Sequence, residues 1–306
     1  MFRYKGRRYN RRRLNGRFLA ALILLAAIVL LAFNILSKKE SPEPTPLIEV
    51  PLEETIRIKE GWTTRDVAQY FEELGKWPAE EFLDLVGHPL IDYRNNEKLP
   101  EDKRLPAPPD FSEKFSFLED KPEYYGLEGY LFPDTYRIYA SSTPLQVLEK
   151  ILANFDAKLT PDLRAEIAEQ GKTIYEIVTM ASLIEKEAPV YQGEDENRDA
   201  RLISGIFWNR LNIGQGLQAD ATLSYILNDN KAAHSGAELE VDSPYNTYKY
   251  RGLPPGPISN PSLAAIKAAI YPLESDYYYF LTTPDKKVFY ARTYNEHLNN
   301  KYKYLK

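Results

Sequence analysis

The sequence predicts an α+β protein: a small βα unit, then a mainly helical domain carrying one β-hairpin, all behind an N-terminal transmembrane helix. Three observations predict it. Phe18 to Ser37 is twenty residues without a charge, rich in Leu, Ala and Ile. Thr55-Ile-Arg-Ile58 alternates apolar and polar residues and leads into a helical pattern near residue 65. From residue 144 onward helical patterns dominate, until two aromatic runs flank a Thr-Pro-Asp-Lys turn.

The first element follows from charge and length. Residues 1–39 hold ten Lys or Arg and no Asp or Glu, and eight of the ten precede Phe18. Twenty helical residues span roughly 30 Å, the thickness of a bilayer's hydrocarbon core. That length favours a retained anchor at 18–37 over a cleaved signal peptide. The basic residues 1–17 then stay in the cytoplasm and the rest lies outside it. Residues 38–46, Pro-rich and charged, read as an extended linker.

Residues 47–126 form the first folded unit and an irregular connection. The strand at 55–58 is followed by a helix from Arg65 to Leu74, ended by Gly75, and a second from Ala79 to Val86. Residues 88–126 are rich in Pro and charge. The larger domain, 127–306, is entered through Tyr130-Leu-Phe-Pro-Asp-Thr-Tyr136. Its expected helices are Pro144–Lys158, Pro161–Gln170, Ile174–Glu187, Asn197–Leu211 and Ser262–Ala269. Tyr277–Leu281 and Val288–Tyr290 read as the hairpin, and prolines stiffen the loop at 252–261.

Composition narrows the function. Residues 40–306 carry 29 Lys and Arg against 44 Asp and Glu, a net of −15, which excludes nucleic acid as a partner. With no cysteine there are neither disulfides nor thiolate metal sites. His88, His234 and His297 lie far apart, none with a neighbour at metal-ligand spacing, so no metal is expected. No phosphate loop, GxGxxG or nucleophile elbow is present, and no cofactor is expected.

The stretch from Thr173 to Pro189 carries the most chemistry. Thr173 and Glu176 have capping-box spacing, and Pro189 sets the helix end near Ala188. The helix is apolar almost all round and presents Glu185 and Glu187 at its C-terminal pole, where the partial negative charge disfavours acids. A carboxyl in apolar surroundings holds its proton towards neutral pH, as a general acid must. Glu187 shares a stripe with Ile184, Leu183 and Met180, whereas Glu185 follows Ser182, Ala181 and Val178. The stripe favours Glu187; the same spacing also suits two solvated end-of-helix charges.

Twenty-three tyrosines, and loops such as Tyr245-Asn-Thr-Tyr248 and Gln218-Ala-Asp220, offer aromatic faces, amides and hydroxyls of the kind that hold sugars. Asp220 could equally cap a helix starting at Thr222. An anchored, acidic, cofactor-free protein with one buried glutamate points to carbohydrate cleavage, which needs a proton donor and no metal.

At these residues the chain resembles the YceG-like endolytic murein transglycosylases. The matching segments are Tyr130–Tyr136, Met180-Ala-Ser-Leu-Ile-Glu-Lys-Glu187, Ile206-Phe-Trp-Asn-Arg-Leu211, Leu217-Gln-Ala-Asp-Ala-Thr222, Tyr245–Tyr248 and Gly252-Leu-Pro-Pro-Gly-Pro-Ile-Ser-Asn-Pro261. The resemblance implies a bacterial single-pass membrane protein with a LysM-like module at 47–126 and a lysozyme-like catalytic domain at 127–306. It implies cleavage of the β-1,4 bond from N-acetylmuramic acid to N-acetylglucosamine in peptidoglycan glycan strands, without water, leaving 1,6-anhydro ends. Glu187 is then the catalytic acid/base, and Gln218, Asp220, Tyr225, Asn246, Thr247, Tyr248 and Asn260 bind substrate. Peptidoglycan synthases are implied partners. The alternatives are a muramidase-type hydrolase using Glu187 as acid and Asp220 as base, and a non-catalytic glycan-binding scaffold.

Overall fold

The computed structural model describes residues 16–37, 52–190, 197–229, 231 and 233–305. The expected linker at 38–46, and all but the last two residues of the basic segment at 1–17, lie outside the described residues. The chain divides into two units, 1–50 and 51–306. In the first, helix α1 runs from Gly16 to Ser37 with every residue exposed. By length and composition it is apolar enough to cross a bilayer.

The second unit opens with β1 (Glu53–Arg57) and α2 (Thr64–Glu73). A reciprocal capping box starts α2: Asp66 N–H donates to the Thr63 hydroxyl, and Thr63 N–H donates to the Asp66 carboxylate. Gly75, at φ +67°, turns the chain out of the helix. Helix α3 occupies Ala79–Val86, as expected. Phe71 of α2 meets Phe82 of α3 edge-on, with ring centroids 4.9 Å apart. Between α3 and residue 134 the described chain forms only short 3₁₀ turns.

Strand β2 (Thr135–Tyr139) was not expected as a strand. It pairs antiparallel with β1, Thr55 opposite Arg137, and its alternation buries Tyr136 and Ile138. The sheet therefore spans the boundary expected between residues 126 and 127.

Helices α4 (Pro144–Lys158) and α5 (Pro161–Glu169) both begin with Pro after a capping Thr. Then come α6 (Ile174–Glu187), α7 (Arg198–Asn212), α8 (Asp220–Leu227), α9 (Gly236–Leu239) and α10 (Leu263–Ile270). The hairpin is β3 (Tyr279–Thr282) with β4 (Val288–Ala291), followed by α11 (Tyr294–Tyr304). The short α9 and the final α11 were not expected, although Thr293 and Glu296 carry cap spacing and Thr293 does cap α11.

Helix α6 is the axis of the core: every residue from Ile177 to Ile184 is buried. It packs against α5, α7, α8 and α10. Burying Ile177, Val178, Met180, Leu183 and Ile184 stabilises the fold by about 1.5–3 kcal/mol each. The proline loop docks on the same helix. Ile258 N–H donates to Ser182 Oγ (3.0 Å), and Tyr175 Oη donates to the Pro255 carbonyl (2.7 Å). A mixed, helix-rich fold with few strands results, as the α+β expectation required.

Candidate active site

The capping box at Thr173 and Glu176 fixes one end of α6, and Ala188, extended at φ −106° before Pro189, fixes the other. Glu185 and Glu187 therefore project about 200° apart around the helix. Glu185 accepts from Ser262 N–H (2.9 Å) and Ser262 Oγ (2.6 Å). Ser262 itself caps α10, so Glu185 ties α6 to the start of α10. It also lines a cleft of about 1500 Å³ with Arg57, Asp134, Lys158 and Lys267. Burial raises its pKa against the pull of the two Ser262 donors.

Glu187 faces α8. Its Oε1 accepts from Ala221 N–H at 3.0 Å. Enclosure by protein pushes its carboxyl up to about 7; the Ala221 donor pulls down, Asp220 pushes up, and Arg210 and Lys186 pull down. The side chain is half-buried, so desolvated without being sealed off. The large cleft is lined by Glu185 and not by Glu187. Glu185 holds two donors that favour its ionised form, whereas Glu187 holds one.

Asp220 is the first residue of α8 rather than its cap, which is Ala219. It accepts from Tyr248 Oη (2.8 Å). The buried ring of His234 stands between two acids, Nδ1 3.8 Å from Asp220 and Nε2 3.3 Å from Asp229. Arg210, buried on α7, donates from Nε to the Tyr278 carbonyl (2.7 Å) and from Nη1 to the Leu217 carbonyl. It thereby holds the turn that delivers Gln218 and Asp220, and adds positive charge near Glu187.

The structure brings Glu187, Asp220 and Tyr248 together, with Gln218 at the rim. Gln218 is exposed in the left-handed region (φ +49°), its N–H donating to the Thr247 carbonyl (3.2 Å). The other expected binding residues are buried, with polar groups engaged by protein. Thr247 Oγ1 accepts from Ala219 N–H (3.0 Å). Asn246 Nδ2 donates to the Leu239 and Val241 carbonyls, and its Oδ1 accepts from Tyr248 N–H. Tyr225 Oη donates to Glu128 (3.2 Å). Asn260 clamps Leu131 N–H (2.8 Å) and the Trp62 carbonyl (2.8 Å). In this structure the polar groups of Tyr225, Asn246, Thr247 and Asn260 hold backbone and neighbouring side chains.

Sequence reasoning also missed three groups. Arg210 was signalled by a cation on an otherwise apolar helix face, and Glu128 by an acid inside the apolar run Leu127–Phe132. His234 gave no signal of its own. His88, expected to lack ligand-spaced neighbours, has them on α3, with Glu80, Asp84 and His88 within 4.8 Å of one another. Glu80 and Asp84 share one face of α3, and the chain turning at Gly87 (φ +91°) brings His88 to them. Glu80 is exposed, and Asp84 Oδ1 lies 2.9 Å from His88 Nε2, within hydrogen-bond distance.

Comparison with known proteins extends this geometry. Residues 33–303 match the sequence profile of the YceG-like family. A Bacillus subtilis protein named endolytic murein transglycosylase is 37% identical over 179 residues, 58% of this chain and 48% of that protein. A Streptococcus pneumoniae protein of the same name is 34% identical over 261 residues, 82% of this chain and 44% of its own length. The chain thus spans about half the length of the curated relatives it matches. The crystal structure of a yceG-like protein from Listeria monocytogenes superposes with a TM-score of 0.65 at 32% identity, covering 81% of this chain and 75% of that one.

Proposed function

The chain belongs to the YceG-like family, and from that premise we propose that it is a membrane-anchored endolytic murein transglycosylase with Glu187 as its single acid/base. One observation carries the reading. A half-buried carboxyl at the end of the core helix, raised to about 7, is held by one backbone donor beside Asp220 and Tyr248. The substrate is a peptidoglycan glycan strand. In the first half of the reaction Glu187 gives its proton to the glycosidic oxygen as the bond from muramic C1 breaks. In the second half O6 of the same sugar bonds to C1, and the Glu187 carboxylate takes the O6 proton. The atoms balance without water, and the product ends in 1,6-anhydro-N-acetylmuramic acid.

A group that must act first as acid and then as base works best with a pKa near the operating pH. Enclosure supplies the acid. The Ala221 N–H, which favours the ionised form, supplies the base. Asp220, oriented by Tyr248, places negative charge where the oxocarbenium-like centre develops, and Gln218 and Tyr248 contact the sugar. Buried Tyr225, Asn246, Thr247 and Asn260 position these groups. Helix α1 anchors the protein with its N-terminus in the cytoplasm, the 47–126 region acts as a LysM-like module ahead of a lysozyme-like domain, and wall synthases are its partners.

Asp220 gives a second reading its footing: as a base it could activate water, making the protein a muramidase-type hydrolase. Mass spectrometry of digested glycan strands separates the two. Anhydro ends support the transglycosylase, whereas reducing ends, one water heavier, identify the hydrolase.

A further inference from the structure

Glu128 is buried, carries no part of the proposed proton transfer, and makes contacts to two separate helices. Its Oε1 accepts from Thr64 N–H (3.0 Å) and its Oε2 from Thr64 Oγ1 (2.9 Å) at the start of α2. The same Oε2 accepts from Tyr225 Oη (3.2 Å) on α8. The next residue of α2 grips the far end of α8, where Arg65 Nη1 donates to Oδ1 of Asn228, the left-handed residue closing that helix (2.6 Å). Ala221, whose N–H meets Glu187, lies one helical turn before Tyr225 on the same α8. Helix α8 is thus a strut. Its near end sets the donor and the acid at Glu187, while its middle and far end are held from α2, with Glu128 as the joint.

We infer that Glu128 is a positioning residue for the reaction at Glu187: by bridging Thr64 and Tyr225 it fixes α8, and so holds Ala221 N–H and Asp220 in place against the acid. The inference rests on the assignment of Glu187 as the acid/base. An eight-residue helix is too short to stand alone, so its place is set by what grips it. A catalytic group displaced by about 1 Å can cost on the order of a hundredfold in rate. The β1–α2 segment then supports turnover through α2, beyond any grip on the glycan.

The test uses the full chain in detergent with purified peptidoglycan glycan strands, three single variants and one double variant. Tyr225→Phe removes one hydroxyl and keeps the ring against Tyr245 (centroids 5.4 Å). Glu128→Gln keeps the shape and replaces one acceptor oxygen with an amide NH2 donor. Glu187→Gln checks the underlying assignment. The expected result for Tyr225→Phe is a roughly tenfold or greater loss in kcat with KM within about twofold. The basic limb of its pH profile should also move up, because a loosened Ala221 N–H no longer favours the carboxylate. Asp220 moves with the same helix, but its upward push on Glu187 is smaller than the downward pull of the Ala221 N–H, so the net shift is upward. Glu128→Gln should behave alike, and the double variant should be no slower than the worse single one, as coupled residues require. Lowered melting temperatures with kcat and the pH limb unmoved would reduce Glu128 to a purely structural residue and overturn the inference. Should Glu128→Gln fail to fold, Tyr225→Phe decides alone. An active Glu187→Gln enzyme would instead defeat the acid assignment; an inactive one beside a wild-type-like Tyr225→Phe defeats only the role of Glu128.

Discussion

Glu185 and Glu187 stand two residues apart on α6 and serve opposite sides of it. The first accepts both donors of Ser262, the residue that caps α10, and the second accepts Ala221 N–H at the mouth of α8. Two acids at the negative pole of one helix would repel each other and the pole together. Each instead meets the N-terminal end of another helix, where N–H groups converge.

The two glutamates should therefore separate under mutation. Glu187→Gln is expected to abolish glycan cleavage, a loss of about 10²–10⁴-fold for a general acid, with near-normal folding. Glu185→Gln should retain most activity and lose about 1–2 kcal/mol of stability from the weakened cap. Product release assays beside denaturant titrations check both.

Activity should fall as pH rises through about 7, because the form of Glu187 that starts the reaction is protonated and its carboxyl titrates there. The profile of kcat/KM against pH reads this limb. A flat profile between pH 6 and 8 would contradict it.

Stability carries the same signature. The folded pKa of Glu187, about 7, lies above its ordinary 4.5, so the folded protein binds more protons between those values. That contribution is fully present below about 4.5 and lost as pH rises through 7. Relative to Glu187→Gln, the wild type should therefore be less stable at pH 8 than at pH 4.5 by about 1–3 kcal/mol. Urea unfolding of both proteins at the two pH values measures the difference, and Glu128, raised to about 7 by burial in both, cancels.

Asn260→Ala should cost about 2–4 kcal/mol, because it strands Leu131 N–H while removing the clamp on Trp62. Thermal melts check this. A loss under ~0.5 kcal/mol would mean that water satisfies Leu131 N–H, since the Trp62 carbonyl keeps the Asn260 N–H.

Gly129→Ala should unsettle Glu128 beside it. Gly129 has φ +89°, and an added Cβ would lie 2.5 Å from Pro257 Cβ and 3.0 Å from Val178 Cγ1. The expected outcome is poor folding, or a kcat loss matching Tyr225→Phe, read from the soluble yield and the rate.

Local chemistry made much of this molecule legible. Capping pairs and flanking prolines fixed α6 at its expected ends, and α4 likewise begins and ends where Pro144 and Lys158 stand. Glu187 came forward because a stripe of Ile184, Leu183 and Met180 can be counted along a helix. What stayed hidden was settled at long range. Strand β2 finds its partner some eighty residues back, and nothing near Thr135 names β1. Asn246, Thr247 and Asn260 carry the residue types of a sugar site, and only the fold shows which carbonyls and N–H groups their amides and hydroxyls meet. Glu128 and Tyr225 are 97 residues apart, so their bond has no local signal.

The pairing of β1 with β2 bears on any attempt to dissect the molecule. A fragment starting at residue 127 would carry β2 without its only ladder partner among the described residues, leaving Tyr136 and Ile138 beside a bare row of amide and carbonyl groups. Such an edge recruits strands from other chains. The helical half, expressed alone, is therefore expected to self-associate, and β1 serves it as a built-in guard against aggregation.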